Sequence, residues 1–156
     1  MTNTFTKTTF ILALSVALSF GTTVFAAETE EDDDPHGDWR TSVQMHLDNG
    51  HYDIALERLE AVRTDNEASS ADWNNFIGYA FRKQETPDLI SAENHYKKAL
   101  ELYADHRGAL EYYGELKLIQ KDLPAAKALL KTLQAACPEG CAELDDLLAS
   151  IAEYKE

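Results

Sequence analysis

The sequence predicts an all-α fold built from successive pairs of helices. From about residue 37 onward, alanine and leucine recur at the three- and four-residue spacing of a helix face. No run shows the convincing alternation of Val, Ile or Thr with polar residues that is typical of a strand. The helical pattern also recurs at a nearly fixed interval, which indicates stacked units rather than a non-repeating helical bundle.

The first 26 residues have the three parts of a secretory signal peptide. A polar start containing Lys7 is followed by an apolar run from Phe10 to Phe20 and by the small-residue site Val24-Phe25-Ala26. The apolar run is about half of the roughly 20 residues that cross a membrane. We therefore expect cleavage after Ala26, a periplasmic location and no stable membrane insertion, with an uncleaved membrane anchor as the alternative.

Residues 27–36 form an acidic segment, because the stretch ETEEDDD places six carboxylates within residues 28–34. This composition is typical of a disordered tether, although a lure for a metal or a basic partner is an alternative. The whole chain has 28 acidic and 14 basic residues, for a net charge of −14. Such a charge opposes binding to nucleic acid and to anionic membrane surfaces, and it favours basic or neutral partners.

Capping residues mark the helix boundaries that follow. Gly50 is expected to end the first helix, and Ser70 precedes the third. Thr86 is expected to cap a helix that begins with Pro87, and Asp122 stands in a similar position before Pro124.

The repeat is visible in the segments GHYDIALERLEAV, PDLISAENHYKKAL and KDLPAAKALLKTL. Each places a small residue four positions before a large apolar one, and another core residue three positions later. The triplets are Ala55/Leu59/Val62, Ala92/Tyr96/Ala99 and Ala126/Leu130/Leu133. Their first members are separated by 37 and 34 residues, and in the helices before them Gly78 and Gly114 are 36 residues apart.

This pattern resembles the tetratricopeptide repeat, a unit of about 34 residues that consists of two antiparallel helices. Ile77-Gly78 and Tyr113-Gly114 correspond to the Leu-Gly pair of the family's first helix, and Ala92-Tyr96-Ala99 to the small and aromatic positions of the second. Glycine and alanine let helix backbones approach closely, and the aromatic ring fills the groove beside them. The resemblance implies a right-handed α-solenoid of three units, at about residues 37–69, 70–106 and 107–137.

Residues 138–156 are expected to form a C-terminal capping helix. In CAELDDLLASIAEYKE, the apolar residues Leu144, Leu147, Leu148 and Ile151 share one face, and the acidic residues lie elsewhere. A solenoid needs such a helix to cover its last apolar surface.

The two cysteines of the chain, Cys137 and Cys141, are expected to form a structural disulfide. Disulfides persist in an oxidising compartment, and Cys-Pro-Glu-Gly suits a type I turn that ends the preceding helix at Cys137. Redox enzymes of the thioredoxin kind place two residues between their cysteines, whereas this pair has three. A reactive thiol pair and a metal-binding pair remain the alternatives.

The sequence predicts neither an enzyme nor a cofactor or metal site. It contains no glycine-rich phosphate loop, no Gly-x-Ser-x-Gly and no His-Glu-x-x-His. The histidines fall on different predicted units and faces, and a copper or zinc site formed from some of them is the alternative. They are His36, His46, His51, His95 and His106.

The resemblance implies a peptide-binding module whose concave face is lined by the first helix of each unit. The groove positions carried over from the family are Arg40, Gln44, Asn75, Tyr79, Arg82, Glu111 and Glu115. Arg40, Asn75 and Arg82 are expected to hold a peptide backbone or carboxylate. Glu111 and Glu115 stand where the family's carboxylate-clamping version has Lys and Arg, so an extended peptide of mixed charge is expected. The alternative is that these residues form only a solvated face.

Most aromatic residues fall at predicted core positions, and two tryptophans are candidates for ligand contact. Trp39 lies near the start of the first helix and Trp73 in the first turn of the third, where partial exposure is expected.

The function expected from the sequence is therefore a non-catalytic module that binds another protein or a peptide of an envelope partner. One alternative is a thiol-redox or metal-handling accessory protein that uses Cys137 and Cys141. The other is a structural subunit that self-associates through its helices.

Overall fold

The computed structural model describes residues 39–63 and 70–155, so the predicted signal peptide (1–26) and acidic segment (27–36) lie outside the described residues. Within the described ranges the chain forms seven α-helices and no strand. They are α1 Trp39–Asp48, α2 Tyr52–Ala61, α3 Ala71–Lys83, α4 Leu89–Leu102, α5 Arg107–Ile119, α6 Leu123–Ala136 and α7 Ala142–Glu153. The predicted all-α fold is confirmed.

Each helix packs against its neighbours in sequence, and the pairs are α1 with α2, α3 with α4 and α5 with α6. The last helix, α7, packs on both members of the final pair. This succession of neighbour contacts is that of a solenoid. No helix in residues 39–63 or 70–155 combines the length and the apolar character needed to span a bilayer. The exact limits of the three units stay a prediction.

The helix boundaries follow local capping chemistry. Gly50 has a positive φ of 74°, which a glycine adopts without strain, and it ends α1 as predicted. The Ser70 side chain accepts a hydrogen bond from the Trp73 backbone N–H, and Asp122 caps α6 through the Ala125 N–H at 3.0 Å.

The predicted start of α4 is wrong by two residues. The cap is Asp88, not Thr86, because one oxygen of the Asp88 carboxylate accepts from the Ser91 backbone N–H at 3.0 Å and the other from the Ser91 hydroxyl at 2.7 Å. The first bond satisfies a backbone N–H of the first turn, and the second holds the carboxylate in its capping position. Pro87 therefore stands before the helix.

Two glycines allow the closest approaches between helices. A Cβ atom built on Gly78 of α3 would lie 2.7 Å from the ring of Tyr96 on α4. A Cβ atom on Gly114 of α5 would lie 2.7 Å from Leu147, which belongs to α7. Gly78 and Gly114 occupy corresponding positions in the repeat, and the space above each glycine is called here its notch. The notch at Gly78 is filled by Tyr96 of α4, the second helix of the same pair. The notch at Gly114 is filled by Leu147 of α7.

The predicted partial exposure of the two tryptophans is wrong. Trp39 and Trp73 are both buried in a core cluster with Val43 and Leu59. The indole N–H of Trp73 donates to the Leu59 backbone carbonyl at 2.9 Å, which satisfies its polar atom inside the core. Neither ring is available to a ligand.

Cys137 and Cys141 form a disulfide at the junction of α6 and α7, with Cα atoms 5.9 Å apart. The Gly140 N–H donates to the Cys137 carbonyl at 3.0 Å, which closes the turn between them. Cys137 is buried with Leu133 and Leu147, so the disulfide is part of the core beneath α7. This environment suits a bond that fixes the angle of the last helix.

Replacing both cysteines with serine is expected to lower the free energy of unfolding by about 2 kcal/mol, because the bond closes a short loop. Thermal unfolding of the full chain measures the loss, and hydrogen exchange should show faster exchange in α7 than in α3. Wild-type protein treated with a reductant is the matched control and should lose as much. Unchanged stability together with lost partner binding would contradict the structural role.

Candidate binding groove

The seven residues predicted to line the groove lie on α1, α3 and α5, the first helices of the three pairs. Three of them are almost fully buried: Asn75 is 5% exposed, Arg82 7% and Glu111 6%. Burial of polar side chains on the inner face needs internal partners or a ligand. The hydrogen-bond and ion-pair partners of each side chain within the protein therefore determine which polar groups remain to bind a ligand.

Arg82 is occupied by residues of the protein itself. One of its guanidinium nitrogens lies 2.8 Å from Glu115, and its Nε donates to the Tyr96 hydroxyl at 3.3 Å. The guanidinium also lies over the rings of Tyr79 and Tyr112, 5.4 and 5.5 Å from their centroids. Burial lowers the pKa of Arg82, but Tyr96 and Glu115 more than offset this and hold it above its ordinary value. Two predicted binding residues, Arg82 and Glu115, thus bind each other.

Arg40 is also paired within the chain. It donates to Asp72 at 2.8 Å and lies 4.4 Å over the ring of Trp39. Asp72 in turn accepts from His106 across 3.0 Å, while the other ring nitrogen of His106 accepts the Ala109 backbone N–H at 3.1 Å. Because that second contact fixes Nδ1 as the acceptor, Nε2 carries the proton that is donated to Asp72.

This chain of contacts joins α1, α3 and α5. Burial raises the pKa of Asp72, but the hydrogen bonds from Arg40 and His106 outweigh it and hold the pKa below its usual value. Asp72 and His106 were not among the predicted groove residues. In the sequence, Asp72 falls in the first turn of α3 and His106 falls just before α5. Helix capping alone explains polar residues at such positions, so the sequence did not mark them as groove residues.

Glu111 has no such partner. Its carboxyl group makes no hydrogen bond or ion pair with another described residue. Burial, followed by the nearby carboxylates of Glu115, Asp146 and Glu143, raises its pKa to about 8. Glu111 therefore holds a proton at neutral pH unless a cation approaches it.

Gln44 donates to Asp48 one turn along α1, at 2.7 Å, and both side chains remain exposed. They stand at the edge of a cavity of about 240 Å³, called here the central cavity, which lies where α1, α3, α5 and the first turn of α7 meet. Its lining residues are Gln44, Leu47, Asp48, Asp72, Asn75, Phe76, Tyr79, His106, Gly108, Tyr112 and Glu143. The structure thus brings Gln44, Asn75 and Tyr79 together at one site.

Two further hollows adjoin the central cavity. One, of about 510 Å³, shares Gln44, Asp48 and Phe76 with it. The other, of about 320 Å³, shares Asp72, His106, Gly108 and Glu143 with it. These three neighbouring hollows, which share lining residues, are together called here the groove, and they lie along the first helices of the repeats.

The described residues contain no group of three His, Cys, Asp or Glu side chains that could hold a metal ion. The ring centroids of His46 and His51 lie 6.1 Å apart across the turn between α1 and α2. His95 lies on α4, and His106 lies just before α5. His36 lies outside the described residues.

The comparison with protein families decides the nature of the repeat. A family model described as Tetratricopeptide repeat matches residues 43–89, from α1 to the first residue of α4. Residues 43–89 match the tetratricopeptide repeat family. A search of curated proteins finds no match to it.

The match includes Ala55, Leu59 and Gly78 and confirms the resemblance drawn from those positions, whereas the Ala92-Tyr96-Ala99 triplet lies beyond it. Proteins with these repeats are generally non-catalytic modules for protein–protein interaction, so the match suggests a protein–protein interaction module. The assignment does not name a partner, because the repeat fixes the scaffold and the groove side chains choose the ligand.

Proposed function

We propose that the chain is an exported, non-catalytic module that binds an extended peptide segment of an envelope protein along the groove. The observation that carries this proposal is the groove along α1, α3 and α5, with the buried amide of Asn75 in its central cavity. The Oδ1 atom of Asn75 is buried and has no hydrogen-bond partner among the described residues. A buried acceptor without a donor is costly, and a backbone N–H of a bound peptide supplies one.

Export is supported by the signal-peptide form of residues 1–26 and by the disulfide between Cys137 and Cys141. Because Cys137 is buried in the core, its environment favours the structural role over a thiol-redox activity. The interaction module is therefore the function that we favour over the thiol accessory.

Site-specific photocrosslinking in the native compartment tests the proposal. A benzoylphenylalanine in place of Gln44, at the groove, is expected to capture a defined partner. The same group in place of Lys98, an exposed residue of α4 that lines none of the three hollows, should not. Asn75→Ala should reduce the Gln44 crosslink at least tenfold, because it removes the central amide.

Arg40→Glu is the companion variant, and Arg63→Glu is its matched control. Each arginine is exposed and forms one surface ion pair, Arg40 with Asp72 and Arg63 with Glu60, so the stability costs should be similar and small. Only Arg40 lines the groove. If Arg40→Glu and Asn75→Ala leave every crosslink intact, the groove is not the binding surface.

A further inference from the structure

The central cavity has an excess of negative charge. Three carboxylates line it, from Asp48, Asp72 and Glu143. Asp72 is paired with the positively charged Arg40 and also accepts a hydrogen bond from His106, but Asp48 accepts a hydrogen bond only from the neutral Gln44. Glu143 forms no ion pair or hydrogen bond with a described residue. Two carboxylates of the cavity are therefore without a positive partner in the described part of the chain.

The cavity also offers no cation to a negatively charged ligand. No Lys or Arg side chain lines it, and its single histidine, His106, already donates to Asp72. The two arginines predicted to bind a carboxylate, Arg40 and Arg82, are held by Asp72 and Glu115. A carboxylate entering this site would meet only like charges, which repel it.

An independent observation points to a ligand that donates hydrogen bonds. Asn75, which lines the cavity, is more than nine-tenths buried. Its Oδ1 atom has no hydrogen-bond donor among the described residues. An amide oxygen can only accept a hydrogen bond. Buried acceptors of this kind are stabilised by a positively charged donor.

The remaining walls suit a long side chain with a charged end. Phe76, Tyr79 and Tyr112 line the cavity beside its carboxylates. Aromatic faces pack against an aliphatic stem and attract a cation. The volume of about 240 Å³ is below the roughly 300–1,000 Å³ of typical small-molecule sites. One side chain fits this space better than a whole cofactor.

We propose that the central cavity receives a lysine or arginine side chain from the bound partner segment, with Asp48 and Glu143 as its counter-charges. This inference rests on the proposed peptide-binding function. A free polyamine carries the same ammonium chemistry, and the experiment below separates it from a peptide side chain.

The test is selection of displayed random decapeptides on the full exported chain, followed by affinity measurement with the selected sequence as a synthetic peptide. Selected peptides are expected to share a lysine or arginine at one position. Replacing that residue with the uncharged norleucine, or Glu143 with Gln, should each weaken binding at least tenfold. Combining the two changes should add little, because both remove the same interaction. The affinity should also fall as salt is raised.

Glu139→Gln is the matched control, since Glu139 is exposed in the turn before α7 and lines none of the three hollows. It changes the net charge equally and should leave affinity unchanged. Selected peptides that require Asn75 but no cation would overturn the inference and leave the peptide-binding groove intact. If no peptide is selected, both proposals fail. Binding of 1,5-diaminopentane as tightly as the peptide would assign the cavity to a free amine instead.

Discussion

Replacing Tyr96 with alanine is expected to lower the free energy of unfolding by about 4 kcal/mol. Tyr96 is fully buried, its ring lies in the notch at Gly78, and it stacks on Tyr113 with centroids 6.1 Å apart. Alanine would leave a cavity between α3 and α4 and remove the hydroxyl that accepts a hydrogen bond from Arg82. Urea unfolding, followed by far-ultraviolet circular dichroism, measures the loss.

Tyr96→Phe separates the two parts of that cost. It keeps the ring and removes only the hydroxyl, so the expected loss is about 1 kcal/mol. The difference between the two variants is the packing contribution of the ring. If alanine costs no more than phenylalanine, the glycine notch and its aromatic partner do not hold α3 and α4 together.

Replacing Glu111 with glutamine is expected to stabilise the protein at alkaline pH, by on the order of 2 kcal/mol at pH 9. Burial first, and then neighbouring carboxylates, raise the pKa of Glu111 to about 8 in the folded protein, from 4.5. Below pH 4.5 the group is protonated in both states and costs nothing. As the pH rises from 4.5 through 8, the unfolded state releases its proton first, so the wild-type protein loses stability. Urea unfolding at pH 4 and pH 9 should show a gain for the variant only at pH 9.

Glu115→Gln is the matched comparison, one turn further along α5, and the opposite sign is expected. Glu115 pairs with the buried Arg82, so its removal leaves a guanidinium without its counter-charge and should cost about 2 kcal/mol near neutral pH. A neutral effect of Glu111→Gln at pH 9 would contradict the account, because it would mean that the ionised Glu111 is already compensated.

The helix pairs could be predicted because the requirement behind them is local. A glycine or alanine lies where two helices approach, and a large residue follows it at a fixed spacing. This pattern is visible in segments such as Ala92-Tyr96-Ala99. The start of α4 could not be fixed to the residue, because Thr86 and Asp88 are both good caps and only the contacts of Asp88 with Ser91 select one.

The groove was harder to predict than the fold. The family resemblance assigned Arg40, Arg82 and Glu115 to one surface, but it did not reveal that Arg82 pairs with Glu115 or Arg40 with Asp72. These contacts join residues more than 30 positions apart, and they depend on how each side chain turns between its neighbours. The same limit applies to the tryptophans, because their burial depends on how α2 and α3 meet.

The contact between Leu147 and Gly114 sets the length of the solenoid. Repeat proteins gain units by duplication of an internal segment, and each new unit must be accepted by the surface before it. Here that surface is occupied, because Leu147 fills the Gly114 notch and the disulfide fastens the start of α7 to the end of α6. A fourth pair inserted after α6 would have to displace α7 and offer it an equivalent glycine. The architecture therefore favours evolutionary change in the side chains of the groove over a change in the number of repeats.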